Sequence, residues 1–213
     1  MSGVEDRIER SASALRDLVW PVISDLVGGG GLIPVETVRE SDFARILDTT
    51  GGIDAWQIYP GNGKSPKWIR GIASRVQFGD RDWSTHTVRY RLPSGNETEL
   101  HKRLRYNKGH GVVGPHLTLQ AYVDDTGPAD RLLSVGIVRT ADLLDAVMRE
   151  RIGEWEWPTW ERGRPKPGPV YIRTNGQDAR EFLVVEWEVL TRYEHFLIWP
   201  SNHRLVRPLG EAT

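Results

Sequence analysis

The sequence predicts a mixed α/β (α+β) domain in which a central mixed β-sheet is flanked by helices. Apolar residues recur at helical spacing near the N-terminus, dense strand patterns follow from residue 53 to residue 138, and another helical pattern comes after them. A chain of 213 residues is long enough for one domain with its own hydrophobic core. We therefore assign residues 1–213 to a single domain.

Two helices are predicted before the first strand. Residues 5–27 form an amphipathic pattern that Pro21 should kink or divide. The four glycines at 28–31 should end this helix and act as a flexible joint. A second helix is predicted over 35–47, directly after a proline that suits a first helical turn.

Strands are predicted where β-branched and aromatic residues alternate with polar residues. The candidate strands are 53–59, 68–78, 84–92, 98–106, 116–123, 132–138, 170–174 and 182–187. Residues 93–96 should form a hairpin turn between the third and the fourth of these strands. The chain thus divides into the N-terminal helix and glycine joint at 5–31, a core at 35–150, a Trp- and Pro-rich loop at 153–169, and C-terminal strands with a polar tail at 170–213.

The last long helix is predicted over 141–151. Thr140 stands directly before it and is of a residue type that caps helices. A short helix is also predicted after Trp187. The buried stripe of the long helix should consist of Leu143, Leu144, Val147 and Met148.

The composition excludes several kinds of site. The chain has no cysteine, which rules out disulfides, a thiolate nucleophile and cysteine-ligated zinc. Its six histidines lack the spacing of paired metal ligands, and the Gly-x-Ser-x-Gly elbow of a serine hydrolase does not occur. The sequence has neither a signal-peptide pattern nor an apolar run long enough to span a bilayer, so we expect a cytoplasmic location and no membrane partner.

The stretch Gly-Gly-Ile-Asp at 51–54 and the strand after it are the most informative for chemistry. Asp54 follows the Gly-Gly break at the start of a strand. Arg75 and Gln77 alternate along the next strand and therefore point to one face. If the two strands pair, Asp54 and this face converge. Metal-dependent phosphodiester cleavage needs such a convergence of a carboxylate, further oxygen ligands and a cation.

This arrangement resembles the PD-(D/E)XK nuclease superfamily, whose members have the restriction-endonuclease-like fold. The similarity extends from residue 35 to about residue 123 and rests on an acidic helix, the Gly-Gly-Ile-Asp strand opening, and a hairpin into a strand with a polar-x-polar pair. It implies a nuclease that acts on DNA with Mg²⁺ as cofactor. Asp54 matches the metal-binding aspartate, and Glu36 or Glu40 matches the acidic residue of the first helix.

The chain departs from the superfamily on the catalytic strand. Arg75 stands where the superfamily has Glu or Gln, and Gln77 stands where it has the catalytic Lys. Three explanations are open. In the first, catalysis is lost while binding is kept. In the second, Lys102 supplies the missing cation from another strand, with Glu99 as a further metal ligand. In the third, the similarity is coincidental, since Gly-x-Asp followed by a polar strand is an unspecific pattern, and Asp54 is simply a turn residue.

Two basic segments are candidates for DNA contacts, because a formal net charge of −1 gives no global attraction for DNA. The candidate DNA-binding residues are Lys102, Arg103, Arg105, Lys108, Arg162, Arg164 and Lys166. Trp155, Trp157 and Trp160 adjoin the second segment, and aromatic rings beside cations suit base stacking. The same three rings suit a protein partner or a homo-oligomer equally well.

Three functions therefore stay open. The first is metal-dependent DNA cleavage, which the resemblance would connect with a mobile element or a defence system. The second is a catalytically degenerate DNA-binding module, for which salt-sensitive binding is expected. The third is a protein-interaction or assembly subunit.

Overall fold

The computed structural model describes residues 2–35, 51–61, 66–96, 98–107, 114–150, 169–175 and 179–200. The helices in these ranges are α1 (Ser2–Ala14), α2 (Trp20–Ile23), α3 (Glu99–Asn107), α4 (Thr140–Arg149) and α5 (Trp187–Leu190). The strands are β1 (Gly31–Pro34), β2 (Ala55–Pro60), β3 (Pro66–Phe78), β4 (Thr85–Arg91), β5 (Leu117–Asp124), β6 (Arg131–Arg139), β7 (Val170–Thr174), β8 (Glu181–Glu186) and β9 (Leu197–Trp199). Apart from their end residues, the predicted helix at 35–47 and loop at 153–169 lie outside the described residues.

A six-stranded sheet forms the centre, in the order β1-β2-β3-β5-β6-β9. Within these strands β3 and β5 run parallel, and the other neighbours are antiparallel. The predicted central mixed sheet flanked by helices is therefore confirmed. The long strand β3 changes neighbour along its length, since its first part pairs with β2 and its second part pairs with β5. Ile72 has a partner on both sides, Ala55 and Leu117.

The N-terminal helices cover one face of this sheet. A π-helical turn, Leu15–Val19, joins α1 to α2, and Pro21 stands in the first turn of α2. The backbone remains helical through Pro21, so the proline does not divide the helix, and the irregular π-turn comes directly before α2. Alternation along β5 turns Leu119 and Ala121 towards the helices. Each large apolar side chain buried here contributes roughly 1.5–3 kcal/mol. The helical side of this core consists of Leu15, Val19, Trp20, Ile23 and Val27.

A second, antiparallel sheet in the order β4-β8-β7 packs on the opposite face together with α3, α4 and α5. Tyr122 of β5 donates a hydrogen bond from its hydroxyl to the Thr85 carbonyl at 2.8 Å. The backbone N–H of Thr87 donates to Oε1 of Gln120 at 3.3 Å. These bonds fix β4 against β5. The apolar core of this layer includes Val88, Leu143, Leu183, Trp187 and Phe196.

The predicted strand at 98–106 is wrong, because this segment forms α3. Residues 99–107 contain no β-branched side chain, and Leu100 and Leu104 are four residues apart on the face that meets the core. Glu99 in the first turn and Arg105 in the last complement the helix dipole. The turn at 93–96 consequently leads from a strand into a helix and does not form a hairpin.

Two smaller corrections concern the glycine run and α4. The glycines at 28–31 end the helical region as predicted, but Gly31 already opens β1. Thr140 does not cap α4, since the helix begins at Thr140 itself and the Oγ1 atom of Thr140 bonds Oγ1 of Thr118 at 3.1 Å. Met148 is 54% exposed, because it lies beside the stripe formed by its three predicted companions, which are buried.

Within the described residues, no helix combines the length and the apolar character that a membrane crossing requires.

Gly136 of β6 allows close packing of the indole of Trp187. A Cβ atom on Gly136 would lie 2.5 Å from Cε2 and 2.7 Å from Cζ2 of that buried ring. We expect Gly136→Ala to lower the free energy of unfolding by about 2 kcal/mol, because a closely packed core does not accept another methyl group without strain. Urea denaturation measures the change. The matched control is Gly31→Ala in β1, where an added Cβ meets no atom within 4 Å; equal losses in both variants would contradict the packing argument.

Candidate functional site

Asp54 lies at the point where β2 begins. Its backbone N–H donates to the Ile72 carbonyl, and its carbonyl accepts a bond from the Val35 N–H, both at 2.9 Å. The carboxylate oxygen Oδ2 accepts a hydrogen bond from the backbone N–H of Ser74 at 2.6 Å. The strand pairing on which the predicted site depends is thus confirmed, and both backbone and side chain fix Asp54 at the sheet.

Helix α3 brings further predicted residues to the same place. The Cδ atom of Lys102 lies 3.7 Å from the position that a Cβ atom on Gly52 would occupy, two residues before Asp54. The negative charge of Asp54 is also close enough to Arg103 to act on its pKa. Lys102 therefore does approach the Asp54 segment, although a helix carries it and not the predicted strand.

Glu99 in the first turn of α3 faces three guanidinium groups. Its Oε2 accepts a bond from the backbone N–H of Arg89 at 3.3 Å, and Nη1 of Arg89 is 3.7 Å from Oε1. Nη2 of Arg103 is 4.0 Å from Oε2. Burial favours the neutral acid, but the charges of Arg103, Arg75 and Arg89 outweigh it and hold the pKa of Glu99 below its usual 4.5. Glu99 is therefore an ionised partner of arginines.

Arg103 is the most deeply buried cation of this group. Its exposed fraction is 5%, and within the described part of the chain its Nε and Nη1 atoms have no hydrogen-bond partner. Burial lowers the pKa of its guanidinium, against the opposite influence of Glu99 and Asp54. A buried donor without an acceptor costs about 1–3 kcal/mol, and a side chain this buried acts on its surroundings through its charge and not through contact with a ligand.

Arg75 joins the group from β3. Its guanidinium carbon lies 4.6 Å from the ring centroid of Phe182 in the second sheet. Burial lowers the pKa of Arg75, and the charge of Glu99 opposes this. Gln77 lies two residues further along the same strand, about 7 Å beyond Arg75 by strand rise. Among the described contacts, none joins the side chain of Gln77 to Asp54 or to α3.

We use the term charged cluster for Asp54, Arg75, Arg89, Glu99, Lys102 and Arg103. The structure brings together five residues that the sequence analysis selected. It adds Arg89, which sequence reasoning missed although Thr87, Arg89 and Arg91 alternate as polar residues along one strand. Arg105 is exposed on α3 beside the cluster. The remaining predicted residues, Glu36, Glu40, Lys108, Arg162, Arg164, Lys166, Trp155, Trp157 and Trp160, lie outside the described residues.

The charge balance of the cluster favours anions. Two carboxylates face four cations, and both oxygens of Glu99 are directed at arginine groups. No three His, Asp or Glu side chains of the described ranges come together as a metal site. Asp54 and Glu99 alone therefore do not fit Mg²⁺, which takes oxygen ligands in near-octahedral geometry. A magnesium site here would need Glu36 or Glu40, and it stays a prediction.

Comparisons of the chain with protein-family models, with curated proteins and with solved structures give no match.

Proposed function

We propose that this protein is a DNA-binding module with a nuclease-like arrangement of residues, and that the charged cluster holds the phosphate backbone. The observation that carries the proposal is the placement of Lys102 and Arg103 of α3 beside the Asp54 segment, in a cluster where cations outnumber carboxylates by four to two. Guanidinium and ammonium groups supply the charge-assisted bonds by which proteins hold phosphates.

In this proposal, the more buried cations and the more accessible cations have different roles in DNA binding. Arg103 and Arg75 are fixed by their surroundings and set a positive local potential. The half-buried Lys102 and the exposed Arg105 stand on the same helix and make the contacts to the DNA backbone. Because the net charge of the whole chain is −1, affinity for DNA has to come from such a local concentration of cations.

The proposal predicts the salt dependence of duplex binding. In EDTA, a labelled DNA duplex should bind more weakly as salt rises from about 50 to about 200 mM, with a slope that reflects the phosphates contacted. Lys102→Gln should weaken binding severalfold and reduce that slope by about one, since one phosphate contact is lost. Fluorescence anisotropy measures both quantities.

Arg131→Gln is the matched control, because Arg131 is an equally charged, exposed residue that pairs with Asp124 on another part of the molecule. Its salt slope should equal that of the unmodified protein. A Lys102→Gln variant that behaves like Arg131→Gln, or an unmodified protein that does not bind duplex DNA, would refute the proposal.

Metal-dependent cleavage is the second candidate. The approach of Lys102 to the Asp54 segment favours it, because Gln77 stands on β3 where the nucleases have their catalytic lysine. Incubating plasmid DNA with Mg²⁺, Mn²⁺ or EDTA separates the two candidates. Cleavage that depends on metal and disappears in Asp54→Asn would establish the nuclease. Asp54→Asn is preferred to Asp54→Ala here because an amide oxygen can still accept the bond from Ser74.

A further inference from the structure

A row of alternating cations and aromatic rings continues the charged cluster across the second sheet. Arg89, Phe182 and Arg173 are direct cross-strand partners on β4, β8 and β7, so their side chains share one face. Arg75 of β3 stacks on Phe182 from the central sheet, with its guanidinium carbon 4.6 Å from the ring centroid. The cluster thus extends sideways along this face.

The row ends at Trp83, in the loop between β3 and β4. The guanidinium carbon of Arg173 lies 5.7 Å from the centroid of this indole, and that of Arg81 lies 6.0 Å from it. Trp83 is 47% exposed, whereas Arg103 of the charged cluster, from which the row starts, is 5% exposed. The row therefore runs from a buried, cationic end to an open, aromatic end. We call Arg81, Trp83 and Arg173 the tryptophan platform.

The loop that carries Trp83 is fixed at its base. The Oδ1 atom of Asp82 accepts bonds from the backbone N–H of Ser84 at 2.7 Å and from its hydroxyl at 3.3 Å. The Ser84 carbonyl accepts a bond from the N–H of Trp187 at 2.9 Å. The carboxylate of Asp82 is thus engaged within the loop. Asp80 pairs with Arg81 only at 3.8 Å with both side chains about 70% exposed, and such a pair is weak enough to exchange for a phosphate.

We infer that the tryptophan platform binds an unpaired base of single-stranded DNA, and that Arg173 and Arg81 hold its flanking phosphates. An exposed indole between guanidinium groups offers a stacking surface to any base, and single strands are bound by such rings along a positively charged groove. A base within a duplex cannot stack on the indole, since both faces of that base are already stacked on neighbouring bases. This inference rests on the proposed function, because the row leads from the charged cluster and a single strand would follow it from there.

Anisotropy with a labelled oligothymidylate and with a duplex of the same length tests the inference. Trp83→Ala should weaken single-strand binding about tenfold and change duplex binding less than twofold. Trp83→Phe should keep most of the single-strand affinity, because an aromatic ring remains. Ile69→Ala is the matched control, since Ile69 is 48% exposed, lies on β3 outside the row and should have no effect on either DNA.

A second variant keeps the test valid if Trp83→Ala unfolds at a lower temperature than the parent protein. Arg173→Gln should reduce the salt slope of single-strand binding by about one and leave the duplex slope unchanged. If Trp83→Ala binds the single strand as tightly as the parent protein does, the inference is overturned; this result is expected if the platform serves a protein partner. The proposed function then still stands, provided that the parent protein binds the duplex. Equal loss for single strand and duplex also overturns it. Binding of neither DNA by the parent protein would overturn the inference and the proposed function together.

Discussion

Glu99→Gln should lower the free energy of unfolding by about 3 kcal/mol, although the replacement has the same shape. Glu99 is the carboxylate that faces Arg75, Arg89 and Arg103, and its removal leaves the buried charge of Arg103 without this partner. Breaking a buried ion pair from one side is strongly destabilising for this reason. Urea denaturation at neutral pH measures the loss.

Acid should have the same effect on the unmodified protein. The pKa of Glu99 is lower in the folded chain than its usual 4.5, so the unfolded chain takes up the proton first. The stability that Glu99 contributes is therefore complete above about pH 4.5 and is lost as the pH falls through the folded pKa. Asp17→Asn is the control, since Asp17 is 57% exposed and pairs with the exposed Arg16. A loss as large as that in Glu99→Gln would show that the three arginines are not the cause.

His86 should make the fold sensitive to mild acid. Its side chain is buried beside the rings of Trp187 and Phe196, with ring centroids 6.0 Å apart in both cases. Burial first, and the positive charge of Arg103 second, lower the pKa of His86 from 6.5 to about 3. The unfolded chain therefore binds this proton at a higher pH than the folded chain. Stability should fall by about 1.4 kcal/mol for each pH unit below 6.5, until the pH approaches the folded pKa.

His86→Leu tests this, since it removes the titrating ring and keeps an apolar side chain. Its free energy of unfolding should depend less on pH between 6.5 and 4.5, where Glu99 of the charged cluster is still ionised. Phe196→Leu changes the same aromatic group without removing a titrating residue, so its pH slope should remain that of the parent. If His86→Leu keeps the full slope, another group is responsible.

The sequence was most informative where a segment is long and periodic. The stripe of α4 identifies a buried face correctly, apart from Met148 at its edge. The strand predicted at 116–123 is β5, which is buried on both faces. The segment at 98–106 was misassigned because Leu100 and Leu104, four residues apart, lie on one face of a strand as well as on one face of a helix. The turn at 93–96 made a hairpin, and hence a strand, the expected continuation. Periodicity shows where strands lie but not which strands pair with each other. The separation of β4, β7 and β8 into a second sheet could therefore not be predicted.

The candidate site was predicted in part. Asp54, Arg75 and Glu99 were selected from residue type and position, and the structure brings them into one cluster. Arg89 was missed because its role depends on the contact of β4 with the first turn of α3, which no local pattern encodes. The tryptophan platform was missed for the same reason, since Trp83 and Arg173 are 90 positions apart in the chain.

The change of neighbour along β3 has a consequence for cooperativity. Ile72 is the residue at which the ladder with β2 ends and the ladder with β5 begins, and the Gly71 carbonyl accepts a bond from the His116 N–H at 2.8 Å. The backbone connection between the two parts of the central sheet therefore narrows to these two positions. The bond from the Ser74 N–H to the Asp54 carboxylate extends that connection by one further hydrogen bond. Local opening of β1 and β2 can therefore stop at this junction without breaking the ladders among β5, β6 and β9. Asp54 is therefore part of the boundary between two units of local unfolding. A ligand or a substitution that changes the bond of its carboxylate to Ser74 should also change how strongly the opening of one unit is coupled to the opening of the other.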